Sequence, residues 1–319
     1  MKSMLLETSV PVESSVPAEV ATRRPRLLPH CTWAGLNGRW PLAQKILRDR
    51  AAVVGLLIIV GLLCTAALAP YLAPFPEDVA ATHPAQRLQA PSWTHPFGTD
   101  TMGRDIYSRL LFGGRITLVI AFTVVGACLA IGVPTGLIAG YYDNVVSHFI
   151  LRTADVFLAV PRVILALALA QALGPSLPNL ILALTVTYWP WFTLVVVAET
   201  KAVKKATFVE ATEALGVSPW RTIFGHVLPS ILSPLIVRST LSMGITIITA
   251  AVLGFLGMGA QPPMPEWGSM IAEARLYLPD AWWYATAPGL AIFCVVMGFN
   301  MLGDALRDLL DPRLRRGRS

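Results

Sequence analysis

Little in this chain can do covalent chemistry. The five histidines, at positions 30, 83, 95, 148 and 226, lack metal-ligand spacing. Cys31, Cys64, Cys128 and Cys294 are scattered without a C-x-x-C pair, and read as small apolar side chains. No H-E-x-x-H or G-x-S-x-G occurs. None of the five lysines (2, 45, 201, 204 and 205) follows a glycine, so the chain holds no P-loop for a nucleotide phosphate. No catalytic residue, metal or resident cofactor is expected. What remains are ions in apolar surroundings. Asp155 and Arg162 flank Pro161 near one end of a hydrophobic stretch, within snorkelling reach of water. Ions so placed are candidates for substrate contact, subunit contact or helix positioning. Asp100 and Asp105 stand among Arg104, Arg109 and Arg115, where the carboxylates can pair with the guanidiniums. The third polar feature is a long break, residues 201–234, between two apolar stretches.

The elements around these groups are membrane helices. Of the 319 residues 55% are hydrophobic and 14% charged, with mean hydropathy +0.60; a soluble domain carries about 25% charged residues. Six stretches, 51–73, 116–139, 153–173, 180–198, 234–258 and 286–303, are long enough to cross a hydrocarbon core. Lipid offers an open backbone no partner, and the alternation of a β-barrel is absent, so the fold expected is all-α and polytopic. Twenty of the 25 Lys/Arg fall in residues 1–50, 141–162, 200–238 and 306–319, and five in 74–115 and 259–284. This positive-inside bias puts both termini and the polar break in the cytoplasm, and explains the net charge of +6 without nucleic acid. The expected organisation is a partly disordered cytoplasmic tail (1–50), with no apolar core that would mark a cleavable signal peptide, a first span (51–73) and an extracytoplasmic segment (74–112). A membrane core (113–305) and a basic cytoplasmic tail (306–319) follow. Gly132, Gly136 and Gly140 form a ladder that lets another helix approach.

The polar break predicts two helices and a sharp turn. Residues 206–215 are good helix formers, with Phe208, Ala211, Thr212 and Leu215 on one face. Gly216 supplies a left-handed stop. Ser218 and Pro219 cap and start a second helix, which Pro229 should end near Leu228. Ser233 would cap the next span. The loop leaves an apolar stripe that wants a partner. Arg104 to Leu111 reads as a short surface helix.

Four stretches carry a resemblance. Glu210-Ala211-Thr212, Ala214-Leu215-Gly216 and Leu228-Pro229 resemble the EAA loop of the membrane subunits of ATP-binding-cassette (ABC) importers, with Thr212 for the second Ala and His226 for Ile. Residues 95–115, from His95-Pro96-Phe97-Gly98-Thr99-Asp100 to Gly114-Arg115, are similar to a stretch of the C-type subunit in the dipeptide/oligopeptide/nickel branch. So are Gly254–Met270, a GFLGxGxQPPxPEWGxM pattern, and Asn300–Arg313. The resemblance covers residues 50 to 313. It implies a type I ABC importer transmembrane fold with six transmembrane helices, working by alternating access in a bacterial inner membrane. It implies that loop 200–233 is a coupling loop to an ATPase, through Glu210, Ala211, Thr212, Ala214, Leu215 and Gly216. Gln261, Pro262, Pro263, Glu266 and Trp267 would lie at the outer gate or mouth. Trp267, Trp282, Trp283 and Tyr284 suit the membrane–water interface. The implied partners are a second (B-type) permease subunit, two ATP-binding subunits carrying ATP and Mg, an extracytoplasmic solute-binding protein and membrane lipid. Peptides or a related small solute would be the cargo. A self-contained channel or carrier is the competing reading; it would need an ion path for which only Asp155 and Arg162 are on offer.

Overall fold

A computed structural model describes residues 49–310. The expected tail over 1–48 and the end of the basic tail, 311–319, lie outside the described residues. Among the described residues ten α-helical elements follow one another: α1 (Arg50–Ala67), α2 (Ala69–Leu72), α3 (Ile106–Tyr141), α4 (Val145–Leu158), α5 (Arg162–Leu173), α6 (Leu177–Lys204), α7 (Thr207–Ala214), α8 (Pro219–Phe255), α9 (Trp267–Ala274) and α10 (Trp282–Leu310). Side-chain caps set many of the starts. Asp49 accepts from the amide of Ala51 at 2.9 Å, Asp105 from Ser108 at 2.7 Å and Asn144 from Ser147 at 3.0 Å. Each satisfies a donor that the first helical turn leaves unpaired.

Five helices, α1, α3, α6, α8 and α10, are long and apolar enough to cross a bilayer. Taken as one span, the bent pair α4–α5 gives a sixth crossing. Its two arms meet at 88°, so the straight span expected over 153–173 does not form. Pro161, at the break, has no N–H to donate and pushes Val160 out of helical geometry.

The core centres on α3 against α6. A β-carbon on Gly132, Gly136 or Gly140 would meet Phe192, Val196 or Thr200 of α6 at 2.5–2.7 Å. The ladder thus brings the two backbones together, as its spacing predicts. Ile120, Val124, Leu184, Tyr188 and Phe192 fill this interface, and Ile223, Val227 and Ile231 of α8 extend it. A second cluster joins α10 to α1, α8 and α9, with Trp267, Tyr284 and Phe299 fully buried.

Three further expectations change. Arg104–Leu111 is no separate surface helix: α3 begins at Ile106, and Arg104 and Arg109 are buried. Pro229 does not end the second loop helix, and Ser233 caps nothing. Instead α8 runs for 37 residues through a π turn at Ile223–Val227, where the amide of Leu228 reaches back to the carbonyl of Ile223. The wider turn makes room for a proline ring that would otherwise strike the preceding turn. The fifth span therefore begins well before residue 234, and the sixth runs from Trp282 to Leu310 rather than 286–303.

Candidate functional site

The polar break folds into an elbow fixed from behind. Gly216 adopts φ +75°, the left-handed conformation that ends α7. Its amide donates to the carbonyl of Glu213 at 3.0 Å, and that of Val217 to Thr212 at 3.1 Å. Pro219 occupies the first turn of α8, although the Ser218 side chain makes no capping bond. Val209, Thr222, Ile223 and Val227 turn inward. Three elements are tied together at the root. The Lys204 ammonium donates to the Tyr141 carbonyl at 2.7 Å and sits 4.9 Å from that ring's centroid, while the Tyr141 hydroxyl donates to Glu213 at 2.8 Å. The far side is bare. Leu215 is 82% exposed, and Trp220 and Phe224, stacked at 5.9 Å between centroids, are 56% and 55% exposed. Glu210, Ala211, Ala214 and Gly216 are exposed with them; Thr212 is half-buried and bonds its own helix at Val209. Of the expected apolar face, Phe208 is exposed as well.

At the opposite end, residues 74–112 and 259–281 interlock. Asp100, fully buried, accepts from Arg104 Nε and from Arg109 at 2.6 Å each. Glu273 of α9 receives both guanidiniums at 3.3 Å and the Tyr284 hydroxyl at 2.6 Å. Asp105 pairs with His95 at 3.0 Å rather than with an arginine, and Arg115 stays exposed. The five expected mouth residues divide. Gln261, Pro262 and Pro263 are exposed on the loop. Glu266 and Trp267 are buried: the Trp267 indole donates to the Leu110 carbonyl at 3.0 Å, and Glu266 caps α9 by accepting from Gly268 and Ser269, each at 2.9 Å. Burial pushes the Glu266 carboxyl up to about 7 against the opposing pull of those amides. Of the aromatics expected at the interface, Trp282 is exposed, whereas Trp267 and Tyr284 serve the interior.

Asp155 and Arg162 are exposed on the two arms of the bent pair and do not pair with each other. The Arg162 guanidinium lies 5.3 Å from the centroid of Trp191 and 5.8 Å from that of Tyr188. Arg238 of α8 approaches the same Trp191 at 4.7 Å.

Residues 132–316 match the family of binding-protein-dependent transport system inner membrane components, and residues 39–91 the N-terminal transmembrane domain of oligopeptide transport permease C. The chain belongs to this permease family. It is 43% identical over 272 residues to the dipeptide transport system permease protein DppC of Alkalihalophilus pseudofirmus, covering 85% of this chain and 89% of that one. It is 40% identical to the glutathione transport system permease protein GsiD of Pectobacterium atrosepticum, covering 85% and 90%. It is also 40% identical to the probable D,D-dipeptide transport system permease protein DdpC of Escherichia coli, covering 82% and 87%. The permease is thus a multi-pass inner-membrane subunit of an ABC importer, with the type I transmembrane fold and the character of the C-type subunits.

Two residues of the permease have no clear signal in the sequence. Glu213, outside the E-A-A triplet, makes the elbow's side-chain anchor to Tyr141; its partner is 72 residues away, so no local pattern marks it. Arg238 counts among the loop cations if the fifth span is expected near residue 234. Its place inside α8 follows from the helix beginning at Pro219.

Proposed function

We propose that the permease moves peptides, or solutes with a peptide's charged ends, and that its elbow receives the force for doing so from an ATPase made as a separate chain. The elbow carries this reading. Its root is bonded to α3 and α6, its tip continues without a break into a membrane helix, and its outer face leaves Leu215, Trp220 and Phe224 more than half exposed. Such a surface suits a partner's groove. Ala211, Ala214, Leu215 and Gly216 form the docking side, Glu210 offers it a charge, and Thr212 braces the helix behind.

The partners are a B-type permease subunit, two ATP-binding subunits holding ATP and Mg, and an extracytoplasmic solute-binding protein. Both termini lie in the cytoplasm with the elbow. Nucleotide-driven closure of the ATPases moves the elbows and swaps an inner for an outer opening. Gln261, Pro262 and Pro263 lie at the outer mouth, held in place by Glu266 and Trp267.

Leu215→Cys tests the reading directly. In membranes holding the whole system, a cysteine crosslinker should join this position to the ATP-binding subunit, and the wild-type chain should copurify with that subunit. A permease that purifies alone and still transports is a self-contained carrier, and the proposal fails.

A further inference from the structure

Arg162 and Arg238 converge on one indole deep in the membrane. Trp191 stands at the middle of the 28-residue α6, roughly 20 Å from either end at about 1.5 Å per residue. The two guanidiniums sit 5.3 and 4.7 Å from its centroid. A charge at the centre of a bilayer costs about 2.5–3.5 kcal/mol on insertion scales, and two like charges on one ring cost more. Arg162 is exposed and Arg238 half-buried on this chain, so at that depth both need a partner or a water-filled path. Neither arginine has a carboxylate within 4 Å among the described residues. The Arg238 Nε is buried without a hydrogen-bond partner. Beside Arg238 opens a cavity of about 790 Å³ whose wall also holds Glu199, Ser230, Ser233 and Arg307, while Arg162 and Trp191 lie outside its lining. That volume suits a small solute. Guanidinium favours the carboxylate group, whose two oxygens match its fork of donors.

We infer that Arg162 and Arg238, stacked against Trp191, form a transit site for the carboxylate of a passing solute, such as the C-terminus of a peptide. The inference rests on the peptide reading above and adds to it a recognition step within the permease itself. The indole attracts both cations through cation–π contact. An entering carboxylate relieves their repulsion and completes the hydrogen bonding of Arg238.

The test uses the assembled permease–ATPase complex in lipid nanodiscs, without the solute-binding protein. Trp191 fluorescence, taken as the difference between wild-type and Trp191→Phe complexes, is followed on adding Ala-Ala or Ala-Ala amide. Ala-Ala should change the Trp191 signal saturably and the amide should bind roughly tenfold or more weakly, as loss of a charge-assisted contact implies. Arg238→Gln should abolish that preference and Arg238→Lys should keep part of it. Equal responses to acid and amide, or none, overturn the site whether or not the arginine variants fold. A Trp191 signal set by the phosphatidylglycerol content of the disc assigns the pair to lipid headgroups and overturns it as well. Loss of the second permease subunit from the Arg238→Gln complex assigns the pair to a subunit carboxylate, which likewise overturns the transit site. Uptake of dipeptides by the complete wild-type system separates the two layers. Uptake without a Trp191 response sinks the arginine site alone, and no uptake sinks the peptide reading with it.

Discussion

Replacing Glu266 by alanine should weaken the start of α9 strongly in acid and barely at all in base. Its carboxyl group caps the helix with two bonds to backbone amides, at 2.9 Å each, in a buried place. Removing it leaves two buried donors unpaired, at roughly 1–2 kcal/mol apiece, or about 3 kcal/mol in all. The same burial raises the carboxyl from 4.5 to about 7. The folded state therefore holds a proton that the unfolded chain releases. Below pH 4.5 both states are protonated and the cap contributes in full. As pH rises towards 7 the wild type loses stability, because the unfolded chain gains by ionising a carboxyl that the folded state keeps protonated. The loss reaches about 3 kcal/mol, at 1.36 kcal/mol per pKa unit, and is complete above pH 7. The gap between wild type and Glu266→Ala should thus be wide at pH 5 and nearly closed at pH 8. Hydrogen exchange of the peptide 266–274, corrected for intrinsic rates, reads this opening. Protection should fall roughly a hundredfold in the variant at pH 5. A gap that is independent of pH, or that widens towards pH 8, refutes the reasoning.

Other perturbations have equally specific outcomes. Gly216→Val forces a β-branched residue to a positive φ, at about 1–3 kcal/mol; the protein should insert, yet transport per ATP hydrolysed should drop severalfold in proteoliposomes, and normal coupling would remove the elbow from the mechanism. Gly136→Leu drives a side chain into Val196 and the Thr193 carbonyl. It should part α3 from α6 and lower the melting temperature of the purified protein sharply, whereas Gly126→Leu, with nothing within 4 Å of its added β-carbon, should be tolerated. Asp100→Ala leaves two buried guanidiniums with Glu273 as their remaining carboxylate, and should cost about 3–5 kcal/mol in thermal or denaturant unfolding; Asp143→Ala, at an exposed carboxylate, is the control.

What the sequence reveals and conceals follows from the range of each signal. The Gly132–Gly136–Gly140 ladder, the Gly216 stop and the Pro219 start are encoded within a few residues and stand where their spacing puts them. Proline is the weaker guide, since its effect depends on what the neighbouring backbone can absorb. Pro161 breaks a span outright, while Pro229 sits inside a helix because the π turn before it yields room. Charge pairing is hidden most deeply. By spacing alone Asp105 could serve any of three arginines, but the tertiary fold gives it to His95 and lets Asp100 bind two guanidiniums at once. Glu273, 164 residues from Arg109, joins that network through contacts no local pattern encodes.

Because α8 runs unbroken from Pro219 to Phe255, it is a pushrod reaching roughly 55 Å at about 1.5 Å per residue. Tilting such a rod by about five degrees about its Pro219 end would swing the far end through roughly 5 Å, about one helical pitch. That end packs against α9, the helix capped by Glu266. A shove at Trp220 therefore needs no relay of loosened side chains to be felt across the bilayer; leverage alone delivers it. The places to look for give in the rod are the π turn and Pro234, towards its Pro219 end.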